Sequence, residues 1–242
     1  MNEMNEIKLP IEISPNPLVT STIEIRFVSS LSSQKIFPIV YQSFSEDLPN
    51  FEHINIPNEI RQKNLQLKYL PDYTLLNEDF KFSFSNNVLS FENVGEYKLW
   101  GQYFPFISKS ITKFLELGII EKIERIGVRY SSVLVNTDGV NDVLISIPTT
   151  NIEGYEQKFE QYRSNIIIDE INLFLQIFNK ANTKKNDVEL SGVYIDIDAS
   201  ITSEINPDNK IIESIDKLHS IQKKLFYSLL KPEYIASLNP KY

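Results

Sequence analysis

Between Thr22 and Val28 the chain reads TIEIRFV, with Ile23, Ile25 and Phe27 on one parity and Thr22, Glu24 and Arg26 on the other. That two-residue period predicts a half-buried strand. Residues 1–19, punctuated by Pro10, Pro15 and Pro17, are expected to be an extended lead-in. After Ser32 and Ser33 the period changes: Ile36, Phe37, Val40, Tyr41 and Phe44 recur at helical spacing, with Pro38 near the first turn, where a proline costs least. Asp47 to Ile60, broken by Pro49 and Pro57, reads as a loop. Three short strands are predicted next, over Leu65–Leu70, Phe80–Phe84 and Val88–Phe91, with Asn86-Asn87 as a hairpin turn between the last two. Gly101 to Leu117 then carries an amphipathic stripe of Tyr103, Phe104, Ile107, Ile111, Phe114 and Leu115, closed by Gly118.

A long strand is expected over Ile119–Val135, an Asp138-Gly139 turn, a strand over Val143–Ile147, and a pair over Phe159–Ile168 and Leu173–Phe178. Asn179 to Asp187 reads as a polar loop and Val188 to Ile197 as a strand. A helix from about Pro207 to Leu230 follows, with Ile211, Ile215, Leu218, Leu225 and Leu229 on one face and Pro232 marking its end. Runs of strands closed by helices predict an α+β fold, with largely antiparallel sheet and three main helices. The expected organisation is one module spanning 1–242. IEIRF (Ile23–Phe27) echoes IGVRY (Ile126–Tyr130), which suits two related halves, 1–118 and 119–242, although short apolar alternations recur by chance in β proteins.

Composition narrows the function classes. With 242 residues the chain can bury a sizeable core without staples, and it has no cysteine, which removes disulfides, thiolate metal sites and cysteine nucleophiles together. Met1 to Pro10 lacks the apolar run of a signal peptide, and no apolar stretch approaches the roughly 20 residues of a membrane span. A cytoplasmic protein without membrane contact is the expectation. The net charge of −8 works against a phosphate backbone. Lys180, Lys184, Lys185, Lys223 and Lys224 are the only basic clusters weighed against that, and they read as solvated faces.

Few residues can carry chemistry. Of two histidines, His53 lies in the proline-flanked loop and His219 borders the apolar stripe of the last helix, with Asp216 three residues before it and Lys223 four after. Asp216 would share its face and could orient the imidazole. Asp196 and Asp198 in YIDIDAS share one strand face and could hold Mg²⁺ through oxygen. A solvated strand face accounts for them equally well. Arg125 and Arg129 flank Gly127 on another strand face, where a glycine admits a close approach, so a paired-guanidinium anion site is conceivable. Their pairing with carboxylates such as Glu124 and Glu24 is the plainer alternative. Glycine-rich phosphate loops, HExxH and GxSxG are all absent.

NPLVTSTIEIRF, VLSFEN, IERIGVRY, YIDIDAS and the closing KLHSIQKKLFYSLLKPEYIASLNPKY together resemble a sporadically distributed prokaryotic protein family of unknown function. Thr20 and Ser21 depart from the small or acidic residues more usual there. The resemblance implies a prokaryotic cytosolic module and supplies no catalytic residues; patchy distribution is associated with defence or mobile loci. The leading expectation is a non-enzymatic interaction protein, antitoxin-, immunity- or chaperone-like, without cofactor, whose acidity suits a basic protein partner. The alternative is a metal-assisted hydrolase or nuclease using Asp196 and Asp198; a small-ligand site at Arg125 and Arg129 is a third. A homo-oligomer is left open.

Overall fold

The computed structural model describes residues 8–242, apart from 55, 65, 66, 138, 146–159, 186, 204 and 209. Its elements run β1 (Leu18–Val28), α1 (Ser33–Phe44), β2 (Asn50–His53), α2 (Asn58–Lys63), β3 (Tyr73–Leu76), β4 (Phe80–Phe84), β5 (Val88–Asn93) and α3 (Trp100–Glu116). They continue through β6 (Lys122–Leu134), α4 (Val140–Val143), β7 (Glu160–Ile168), β8 (Ile171–Lys185), β9 (Val188–Ile201), α5 (Lys210–Leu229) and α6 (Pro232–Ser237). The fold is α+β: one nine-stranded sheet in the order β2-β3-β4-β5-β1-β6-β9-β8-β7, every pairing antiparallel, with six helices among the described residues.

One row across the sheet explains which face is covered. Phe51, Leu75, Phe82, Phe91, Ile23, Val128, Ala199, Leu173 and Ile166 stand opposite one another from edge to edge. The adjacent row, one residue along each strand, reads Glu52, Thr74, Ser83, Ser90, Glu24, Gly127, Ser200, Asn172 and Ile167. Because side chains alternate between faces, the first row makes one side apolar and the second makes the other side polar and small. The apolar side packs in a single cluster against Ile36, Val40 and Phe44 of α1, Ile107, Ile111 and Phe114 of α3, and Ile211, Ile215 and Leu218 of α5. A smaller cluster joins Leu134, Val143, Leu175, Ile195 and Phe226 at the other end.

Several local expectations are corrected. The stretch over 47–60 holds β2 and the start of α2, because Asn50–His53 finds an edge partner in β3. The strand expected over Leu65–Leu70 is a turn at Leu67–Leu70, with residues 65 and 66 outside the described set, and the strand lies instead at Tyr73–Leu76. Of the strand expected over Val143–Ile147, Val143 ends the short helix α4 and Leu144 makes one bridge to Leu230, while 146 and 147 fall outside the described residues, as does Asp138 of the expected turn. Asn179 to Lys185 is strand, since β8 crosses its polar stretch by a register shift between Phe178 and Ala181 and pairs on with β9. The last long helix starts at Lys210, and Pro232 opens α6. Gly118 takes the left-handed conformation (φ +65°) expected after α3.

Candidate functional site

The residues singled out from sequence separate onto the two sides of the sheet. Arg125, Arg129, Asp196 and Asp198 lie on the polar side, where β1, β6 and β9 run side by side. Arg125 donates from Nη2 to both carboxylate oxygens of Asp198 (2.6 and 2.7 Å) and from Nη1 to Glu24 (2.7 Å), which also accepts from Nε of Arg26 (2.7 Å). Arg129 forks onto Asp196 through Nε (2.9 Å) and Nη2 (2.6 Å), and Gln176 adds a third donor at 3.3 Å. Asp196 is only 3% exposed, and its hydrogen bond raises the Arg129 guanidinium further above its ordinary range. Three arginines thus face three carboxylates in one strip.

This arrangement answers the sequence expectations residue by residue. Each aspartate that could have held Mg²⁺ is engaged by an arginine, and among the described residues no three His, Asp or Glu side chains gather to hold a metal ion. Arg125 and Arg129 are compensated by the protein's own acids, Glu24 among them; Glu124 makes no ion pair with either. Gly127 does permit a close approach, but the group that approaches is internal. A Cβ there would land on the Arg125 guanidinium, which lies across the glycine on its way to Glu24 and Asp198.

His219 sits on the opposite side, packed on Tyr130 of the same strand that sends Arg129 the other way. It therefore does not meet the aspartates. Its ring lies flat on Trp100, centroids 3.7 Å apart and 8° from parallel, and edge-on to Tyr130 at 5.5 Å. Asp216 does not orient the imidazole; it accepts the indole N–H of Trp100 at 2.8 Å, and so fixes the ring on which His219 stacks. Burial, reinforced by the positive charge of Lys223, pushes the His219 pKa down to about 3, so the imidazole is neutral near pH 7. Its Nδ1 is buried without a hydrogen-bond partner among the described residues. His53 stands in β2, stacked on Tyr73 at 4.6 Å.

Around His219 opens a cleft of about 90 Å³, room for one small inserted group. Its floor is Tyr130 and Ser132 of β6, one wall is Leu99 and Trp100 at the start of α3 with Tyr97 before them, and a second wall is Gln222, Lys223, Phe226 and Tyr227 of α5. The rim is the segment from Ile11 to Leu18, strapped to the C-terminal residues: the Ile11 N–H donates to the Lys241 carbonyl (2.7 Å), the Lys241 N–H to the Glu12 carbonyl (2.9 Å), and the Ser14 N–H to the Leu238 carbonyl (2.7 Å). Tyr97 and Tyr130 share a hydroxyl contact of 3.1 Å, and burial lifts the Tyr97 phenol to about 12 and that of Tyr130 well above its ordinary value. Lys223 is lowered by burial.

Sequence reasoning reached His219 and missed the pocket. The signal was present on α5. The buried positions are Ile211, Ile215, Leu218, His219, Gln222 and Phe226, so two polar residues occupy the stripe where a plain core helix would carry leucine. Taking Leu225 and Leu229 as the stripe, as their hydrophobicity suggests, steps around both polar residues; the two leucines are only partly buried.

No known protein-family model matches the chain, and no curated protein matches it significantly. Among the described residues no helix is long and apolar enough to cross a membrane.

Proposed function

We propose that the chain is a non-enzymatic protein-interaction module of a prokaryotic cytosol, and that it holds its partner by a group inserted into the pocket beside His219. The carrying observation is the buried face of α5, where His219 and Gln222 replace core hydrophobics and, among the described residues, find no hydrogen-bond partner for the imidazole Nδ1. Buried polar groups without partners cost stability unless something supplies the missing bonds. Binding is favoured over catalysis because the titratable groups are already committed: Asp196 and Asp198 to arginines, and His219 to a neutral, stacked state.

The family resemblance carries the rest of this reading, an antitoxin-, immunity- or chaperone-like component of a defence or mobile locus. The net charge of −8 suits a partner of basic character. The reading of two related halves gains support from connectivity. In each half the first strand (β1, β6) lies near the middle of the whole sheet, the chain crosses to an edge, and a meander returns to pair with that first strand before a helix.

Pull-down against the products of neighbouring genes tests the proposal. One retained partner is expected, and its retention should fall in Gln222→Trp, which fills the pocket, yet persist in Phe174→Ser on the opposite face. Absence of any partner, or a partner indifferent to Gln222→Trp, rejects it.

A further inference from the structure

Resting on the reading of this pocket as the binding site, we infer that the inserted group is an apolar body bearing a carboxylate, its anion received by Lys223 and Gln222. The charges around the pocket lead to this. Among the described residues Glu12 is the one acid in its lining, and Lys241 holds both of its oxygens at 3.1 Å. Asp216, on the same helix, is engaged by the Trp100 indole. Lys223 makes no ion pair among the described residues and is half buried, its charge felt by His219. A desolvated ammonium without a counter-ion is costly, and an arriving anion removes that cost.

Gln222 strengthens the assignment. It is 3% exposed, lines the same pocket one residue before Lys223, and its amide N–H groups are free among the described residues to donate to a second oxygen. A single ammonium with one neutral donor fits a monoanionic carboxylate; a phosphate dianion generally draws on more positive charge or a nest of backbone N–H groups. Cationic ligands are disfavoured by Lys223 itself. Opposite these groups the pocket offers Leu99, Trp100 and Tyr130, and beside them Phe226, a surface for an aromatic or aliphatic body. Such a group is found at the C-terminal residue of a polypeptide and in a free organic acid.

Trp100 is the only tryptophan in the chain and forms part of the pocket wall, so its fluorescence reports occupancy directly. The full chain is titrated with four probes: decanoate, 1-decanol, a short peptide ending in phenylalanine with a free carboxylate, and the same peptide amidated. The expected result is a saturable change with at least one acid, and binding weakened about tenfold or more for its uncharged counterpart. Lys223→Gln should abolish that preference and Lys223→Arg should keep it. Tighter binding of the peptide acid assigns the carboxylate to a chain terminus, and tighter binding of decanoate assigns it to a free acid. Equal binding of acid and neutral probes overturns the carboxylate assignment while leaving the pocket as a binding site. A partner dislodged by Gln222→Trp alongside silence from both acids does the same, whereas a partner that ignores Gln222→Trp overturns the pocket reading itself.

Discussion

At the scale of single residues, His219 couples the pocket to pH. Its pKa falls from about 6.5 to about 3 on folding, because burial and the neighbouring Lys223 disfavour the imidazolium. Below about pH 6.5 the unfolded chain therefore takes up a proton that the folded chain refuses, and folding stability drops as pH falls through that window. The slope due to this residue approaches about 1.4 kcal/mol per pH unit. Replacing it by His219→Phe, which keeps a ring against Trp100, should flatten the urea-unfolding free energy measured between about pH 7 and pH 4 by close to one proton. On the other side of the sheet, Arg129→Ala leaves the buried Asp196 carboxylate with Gln176 alone. A loss of about 2 kcal/mol in urea denaturation is expected, since an uncompensated buried charge costs more than the pair contributes. Because arginines hold both Asp196 and Asp198, millimolar Mg²⁺ should leave the melting temperature unmoved.

At the scale of elements, legibility followed the strength of the alternating pattern. β1, β4 and the first part of β8 could be read because each buries hydrophobic residues on one parity, and β5, β6 and β7 because β-branched and aromatic residues crowd them; the apolar row from Phe51 to Ile166 runs across the whole sheet. What escaped was decided by backbone pairing that the side-chain pattern does not announce. Asn50–His53 is a strand only because Tyr73–Leu76 lies beside it, and the polar stretch after Phe178 continues β8 only because β9 supplies bonds beyond the register shift. The candidate site divided in the same way: parity placed Asp196 with Asp198, whereas nothing along the chain brings Tyr97, Trp100 and Tyr130 to His219. α5 gives this a measurable form. Leu218→Ala, at a fully buried position, should cost about 3 kcal/mol, and Leu225→Ala, partly exposed, less than half of that. Equal costs in urea denaturation would return Leu225 to the main stripe.

For the molecule as a whole, residues 8–118 and 119–242 meet along strands near the middle of the sheet. β1 and β6 pair over ten positions, Leu18–Ser132 to Val28–Lys122, and these are the middle strands of the sheet. The main core draws Ile23 and Phe27 from one half and Val128, Ile215 and Leu218 from the other into one cluster. Trp100 of the first half is stacked on His219 of the second, and the strap around Ile11 to Ser14 is held by residues near the C-terminus. Removing either half would bare the apolar row of the survivor along a central strand, leaving an exposed edge prone to pairing with other chains. Unfolding should therefore be one cooperative transition, with Trp100 fluorescence and far-UV circular dichroism tracing the same curve against urea. Expressed separately, 8–118 and 119–242 should be insoluble or unfolded, and co-expression should recover the fold. Two resolved transitions, or a folded isolated segment, would show instead that each segment owns its core, with the β1–β6 seam acting only as a docking interface.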